Sequence, residues 1–478
     1  MKRLKSILAL AVAALTVTAG LSACSPNVPA DQSSAAPAAS AAPAASAAGS
    51  SSAAAGGKQE IYFLNFKPEI ADVYKEIAKE YEAETGVKVN VMTAASGTYE
   101  QTLKSELAKT DAPTIFQING PVGYSNWKDY CLNLKDCKLY DQLMDKSMAV
   151  TGSDGGVYGI PYVVEGYGII YNDAVMKKYF ALSDKAAKVS SAADIKNFAT
   201  LKTVAEDMTK HKDQLGIKGV FASTSLTSGE DWRWQTHLLN LPMYYEFKDT
   251  APNASTVETG LAAKEITFKY GDNYRNIFDL YLNNSVTAKG LLGSKSVDDS
   301  MAEFALGKAA MVQNGDWAWS QISGVAGNTV KADDVKFMPI YTGVSGEEKQ
   351  GICIGTENFF CVNSKVSADK QKASEDFLEW LFSSAKGKDF VTNQLKFIAP
   401  FNTFSASERP NDPLAKSVAA YMSDSSLTTV PWTFECFPSQ DYKNAVGAAL
   451  LQYAQGSKKW DDVKSVVIGK WKSEKAKS

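Results

Sequence analysis

The first folded stretch of the chain alternates short apolar runs with amphipathic ones. Glu60-Ile61-Tyr62-Phe63-Leu64-Asn65 reads as a buried strand. From Ile70 to Glu84 the apolar positions recur at helical spacing: Ile70, Val73, Tyr74, Ile77 and Tyr81 share one face, and Thr85-Gly86 ends the helix. Val87 to Val91 alternates apolar and polar residues, the period of a strand. Tyr99 to Ala108 returns to a helical pattern, and Pro113 precedes another apolar strand, Thr114 to Ile118. This βαβαβ order predicts a doubly wound α/β sheet with helices on both faces. In such sheets ligands sit beyond the carboxyl ends of the strands. The loops after Leu64 and Ile118, carrying Asn65, Lys67, Asn119 and Tyr124, are therefore candidate walls of a site.

The N-terminus follows a different pattern. Lys2, Arg3 and Lys5 precede an apolar run from Ile7 to about Leu15, then small residues, which is the layout of a secretory signal. The run is short for a membrane span, which needs roughly 20 apolar residues. It ends in Leu21-Ser22-Ala23-Cys24, which resembles the lipobox of bacterial lipoproteins. That resemblance implies a signal peptide over 1–23, cleavage before Cys24, and a diacylglycerol on its thiol (palmitate being a common acyl chain). The alternative is an ordinary signal peptide with a chance Cys. Residues 25–57 are almost all Ala, Ser, Pro and Gly, too poor in apolar surface to offset chain entropy. With Cys24 they read as a disordered tether holding the folded body off a membrane.

Composition narrows the class. A chain of 478 residues is long for one core and suggests two lobes. Its net charge of −3 argues against a nucleic-acid binder, which shows a basic face. With two histidines, His211 and His237, a His-rich zinc site is excluded and a His-based triad has little to draw on. Cys131, Cys137, Cys353, Cys361 and Cys436 show no paired Cys-x2-Cys spacing. Cys131–Cys137 and Cys353–Cys361 are near enough in sequence for bridges, and small buried hydrophobes are the other reading. There is no phosphate-binding loop, dinucleotide fingerprint or calcium loop. No catalytic residue, metal or cofactor is expected.

Four blocks carry a more specific likeness. The opening strand and helix run into Ala83-Glu84-Thr85-Gly86-Val87-Lys88-Val89-Asn90-Val91. Gly156-Val157-Tyr158-Gly159-Ile160-Pro161-Tyr162 is followed by an apolar strand ending in Tyr171-Asn172. Phe304-Ala305-Leu306-Gly307-Lys308-Ala309-Ala310-Met311, read as a helix, leads to an aromatic turn, Asn314-Gly315-Asp316-Trp317-Ala318-Trp319. Phe359-Phe360-Cys361-Val362-Asn363-Ser364 precedes a helix with Ala373, Phe377, Leu378 and Leu381. In this order the blocks resemble the family 1 extracellular solute-binding proteins of ABC importers, the maltose-binding-protein-like carbohydrate-binding lipoproteins.

The resemblance implies a two-lobed clamshell of the periplasmic-binding-protein kind, each lobe a sheet flanked by helices. Lobe 1 is expected at 58–164 plus 359–408 and lobe 2 at 165–358 plus 409–478, with crossings near Val164, Thr356 and Ser407. It implies a monomer that traps a sugar or oligosaccharide and delivers it to permease subunits, anchored outside the cell membrane through Cys24. Trp317 matches a position that stacks a sugar ring, whose apolar C–H face suits an indole; the alternative is a core Trp. Glu165 matches a carboxylate at the crossover, or is a solvated hinge charge. Asp316 pairs a hydroxyl acceptor with that ring, although some members carry Pro there, which puts a shared substrate in doubt. Trp232 and Gln235 share a helical face while Trp234 points elsewhere. Trp432, Glu357 and Lys67 complete the candidate ligand set with Asn65 and Asn119. Two other readings stay open: a polyamine, iron complex or peptide on the same fold, and a secreted glycosidase using paired carboxylates.

Overall fold

The computed structural model describes residues 59–477; the signal segment, Cys24 and the tether lie outside the described residues. The first elements fall where periodicity puts them: β1 (Glu60–Asn65), α1 (Ala71–Thr85), β2 (Lys88–Thr93), α2 (Tyr99–Leu107), β3 (Ile115–Asn119) and α3 (Gly120–Trp127). Gly86 ends α1 at φ 75°, a conformation that costs glycine little. β2, β1 and β3 are parallel neighbours.

The chain then leaves and re-enters this sheet. β4 (Val150–Thr151) and β5 (Val157–Pro161) complete it with β11 (Asn358–Val362), in the order β2-β1-β3-β11-β5-β4. The second sheet is built around β6 (Glu165–Asn172), buried along its whole length. β6 pairs antiparallel with β8 (Ala309–Gly315), β9 (Val335–Met338) and β10 (Gln350–Gly355); β7 (Gly219–Phe221) and β12 (Thr428–Val430) lie at the edges. Both sheets are mixed, because a chain that crosses between lobes returns in the opposite sense. It passes from the first sheet to the second between Pro161 and Glu165, and back between Gly355 and Asn358. A third passage lies between Phe404, in the first core, and the helix Pro413–Ser423, which packs on β6, β9 and β10 of the second sheet.

One element differs from the sequence reading. The Phe304–Met311 block is not one helix: the helix Val297–Ala305 stops, Gly307 turns at φ 69°, and Ala309–Gly315 runs on as β8. The continuous burial of β8 explains this, since an apolar run covered on both faces suits a central strand. The cysteines also resolve. All five are free and buried, so neither sequence-neighbour bridge is present, and Cys353 and Cys361 lie in different sheets. Cys131 instead faces Cys361, with sulfurs 3.8 Å apart.

Each lobe has its own core. Phe63, Tyr74, Tyr162, Phe360 and Phe382 fill the first; Tyr167, Met311, Trp234, Tyr281 and Trp471 are among those filling the second. Phe360 stacks on Tyr162 at 4.3 Å and meets Phe63 and Phe382 edge-on or tilted. Phe360→Ala removes the centre of this cluster and should cost about 3–5 kcal/mol, read as a lower urea midpoint at an unchanged slope.

Candidate functional site

The parallel strands β1, β2 and β3 end on the side of their sheet that faces the second lobe. A cavity of about 530 Å³ lies there. Its first wall comes from the segments after those strands: Phe66 to Glu69, Ala95 to Gln101 except Thr98, and Asn119. Its second wall comes from the other lobe: Glu165, Gly229, Glu230, Trp232, Gln235 to His237, Asp298, Trp317, Gln321, Gln440, Asp441, Lys443 and Asn444. Glu357, in the return crossing, lines it too.

Lys67 reaches across the cavity to Glu165, Nζ to Oε1 2.7 Å, with Glu69 3.7 Å away. Both partners are buried. Burial opposes the Lys67 ammonium, but Glu165 and Glu69 outweigh it and hold the group above the usual lysine range. Asn65 fixes this lysine: its amide donates to the Lys67 carbonyl at 2.7 Å and its oxygen accepts from the Lys67 N–H at 3.1 Å. Asn65 is thus a brace behind the wall, fully buried and outside the lining.

Asp316 also stands behind the wall. Its carboxylate accepts from the Gly166 N–H at 3.1 Å, and its own N–H donates to the Gly166 carbonyl at 3.0 Å, tying the end of β8 to the start of β6. Burial, then the Glu165 charge, push its carboxyl well above the ordinary range. Trp432 is buried against Gly355 and lies edge-on to Trp317 at 6.5 Å, so it too supports the wall and does not line it.

Trp317 and Trp232 are half-buried, with ring centroids 6.0 Å apart and planes tilted by 47°. The Trp317 ring folds back over Gly315, where a Cβ would come within 2.1 Å of it; glycine is what lets the indole lie there. Lys67 Nζ stands 5.4 Å from the same ring centre. Behind Trp232 the Arg233 guanidinium lies 4.0 Å from the ring centre, and burial lowers its pKa to about 9. Trp234 points away into the core and donates to the Ser225 carbonyl.

The sequence reading missed His237. Residues Arg233–Leu238 form a π-helical turn, with the Leu239 N–H bonded to the Trp234 carbonyl at 3.3 Å. That wider turn brings residues five apart onto one face, so the His237 ring meets Trp232 edge-on at 5.0 Å and stacks on Tyr167 at 4.3 Å. An α-helical count separates them. The imidazole is 4% exposed, lines the cavity, and makes no hydrogen bond among the described residues. Burial, with Arg233, Lys443 and Lys67 nearby, holds its pKa well below the ordinary value, so it is neutral and offers one donor and one acceptor. Ser96 to Glu100 were missed as well, although the strand-end rule applies to the loop after β2 as it does to the others. At the cavity mouth the Ser96 hydroxyl donates to the Gly229 carbonyl at 3.3 Å, and a Cβ on Gly97 would meet the Gly229 Cα at 2.6 Å.

Among the described residues no group of His, Cys, Asp or Glu is arranged to hold a metal ion, and no helix is long and apolar enough to cross a membrane. Two lobes joined by crossing segments, with a polar and aromatic cavity between them, define a solute-binding clamshell. The family model for bacterial extracellular solute-binding proteins matches residues 76–422, and the chain belongs to that family. Similar solved structures include a chitin oligosaccharide binding protein, with a TM-score of 0.68 and 18% identity over 88% of this chain and 100% of that one. A sugar transporter from Bacillus licheniformis in complex with stachyose scores 0.65 at 15% identity, over 87% and 100%. RafE in complex with raffinose scores 0.65 at 15% identity, over 87% and 99%. Among curated proteins none matches the sequence.

Two outcomes follow. Lys67→Met leaves the Glu165 carboxylate buried without its partner and should destabilise the chain by about 3–5 kcal/mol, while Lys67→Met with Glu165→Gln loses less; urea unfolding of both variants checks this. His237 has a depressed folded pKa, so its contribution is present above the unfolded value and lost as pH falls. Below about pH 6.5 it should subtract up to about 1.4 kcal/mol per pH unit. Asp231, raised to about 6 mainly by burial, opposes part of that slope. The difference in slope between the wild type and His237→Gln isolates the histidine.

Proposed function

We propose that this chain captures a sugar or oligosaccharide between its lobes and hands it, unchanged, to the permease subunits of an ABC importer. The observation that carries the reading is the pair of tilted, half-buried indoles, Trp232 and Trp317, on a cavity wall otherwise rich in hydrogen-bonding groups. Pyranose rings are amphipathic: C–H faces cover indole planes while hydroxyls at the edge reach carboxylates, amides and ammonium groups. The oligosaccharides named with the similar structures support the same class of ligand.

In this reading Trp317 and Trp232 stack the rings. Glu165, Lys67, Asn119 and Glu357 take hydroxyls, with the neutral His237 as a further donor and acceptor. Asn65, Asp316 and Trp432 keep those groups in place. Capture closes the lobes, and the Ser96–Gly97 contact with Gly229 seals the mouth. Family membership makes the chain an exported protein; a diacylglycerol on Cys24 anchors it to the outer face of the cell membrane, with residues 25–57 as the tether.

A thermal-shift panel of mono- and oligosaccharides, polyamines, ferric chelates and short peptides tests the ligand class. A saccharide at about 100 times its Kd adds about 2.7 kcal/mol of stability and should be recovered unhydrolysed. A shift with a polyamine, chelate or peptide alone contradicts the sugar. Trp317→Ala should weaken saccharide binding by roughly 10- to 100-fold, the equivalent of about 1.4–2.8 kcal/mol, at an unchanged far-UV spectrum; unchanged affinity in calorimetry removes that ring from the site. Gly97→Ala, which blocks the backbone contact at the mouth, should weaken binding and speed ligand release.

A further inference from the structure

The cavity has a side chamber. A smaller space of about 150 Å³ shares Glu100, Asn119, Glu357 and Lys443 with the main cavity and adds Glu435. Three carboxylates there face one ammonium. Glu100 accepts from the Trp127 indole N–H at 2.9 Å; the side chains of Glu357, Glu435 and Lys443 make no hydrogen bond or ion pair among the described residues. The site around it is polar and underused in a second, independent way. Asn358 is 1% exposed, and both ends of its amide lack a partner; it pairs in register with Asn119, so the two amides share a face of the sheet. The Asn119 side-chain oxygen, which borders both spaces, also lacks a partner, and so does the buried Thr356 hydroxyl. In the main cavity the His237 ring, 4% exposed, has no hydrogen bond among the described residues.

We infer that this side chamber receives a protonated primary amine, so that the preferred ligand is an amine-bearing saccharide. This rests on the saccharide reading above and deepens it. A hydroxyl can donate one hydrogen bond to a carboxylate but leaves the charge uncompensated. An ammonium donates three and, with the three carboxylates ionised around it, neutralises one of the two negative charges they carry beyond Lys443. Burial raises the pKa of Glu100, Glu357 and Glu435, most strongly for Glu435, where the Glu357 charge adds to it. A bound ammonium favours their ionised forms and therefore displaces protons into the buffer.

The test offers the purified full chain a set of di- and trisaccharides, each in three forms at matched linkage: free amine, N-acetylated amine and hydroxyl. Spermidine serves as an amine without a sugar. Calorimetry at pH 7 in two buffers of different ionisation enthalpy reads both affinity and proton release. The amine form should bind roughly tenfold or more tightly than its hydroxyl counterpart, with net proton release, and Glu435→Gln should narrow that ratio. Equal affinity for amine and hydroxyl forms, or no amine binding at all, overturns the inference while a bound neutral saccharide leaves the saccharide reading standing. Spermidine binding with no saccharide bound keeps the amine chemistry and overturns the saccharide reading.

Discussion

The buried ion pair between Lys67 and Glu165 is the constraint around which the cavity is organised. Two charges removed from water need each other and a complete set of hydrogen bonds around them. Asn65 holds Lys67 from the first lobe, and Asp316 holds the backbone beside Glu165 from the second. The pair also joins the end of β1 to the first residue of β6, the strand on which the second sheet is built. A charge on one lobe thus has its partner on the other, and the relative position of the lobes decides whether both are satisfied.

The aromatic part of the site is arranged by backbone geometry. Gly315 allows the Trp317 indole to lie flat over β8, and the π-helical turn at Arg233–Leu238 sets Trp232 and His237 on one face. Trp432 and Tyr167 fill the space behind. Two rings with fixed tilt make a shaped wall, while carboxylates and amides at the edges supply direction. This division, apolar contact for area and charged groups for orientation, suits a ligand that is apolar on one face and rich in hydroxyls at its rim.

Much of the fold was legible because each lobe-1 element obeys its local period: β1, α1 and α2 follow from apolar spacing and a glycine stop. The β8 segment was harder, because a run buried on both sides has no alternation, and Gly307 alone marks the change from helix to strand. Within the site, the strand-end rule found Lys67 and Asn119, and family resemblance pointed to Glu165 and Trp317, which line the cavity. Asn65 and Asp316 sit beside lining residues and Trp432 packs behind Trp317; which side chains turn into the cavity is set by tertiary packing, which spacing along the chain does not carry. His237 was hidden by a turn with a non-α period. Glu435 and Lys443 were hidden by distance, since the chain returns to the cavity more than 300 residues after Asn119.

A crystal structure of the chain with the saccharide that stabilises it most would test the account directly. The account predicts pyranose rings covering the exposed faces of Trp232 and Trp317, ring hydroxyls within hydrogen-bond distance of Lys67, Glu165 and His237, and the ligand enclosed by both lobes. A saccharide held elsewhere, or one contacting a single lobe with both indoles uncovered, would contradict it.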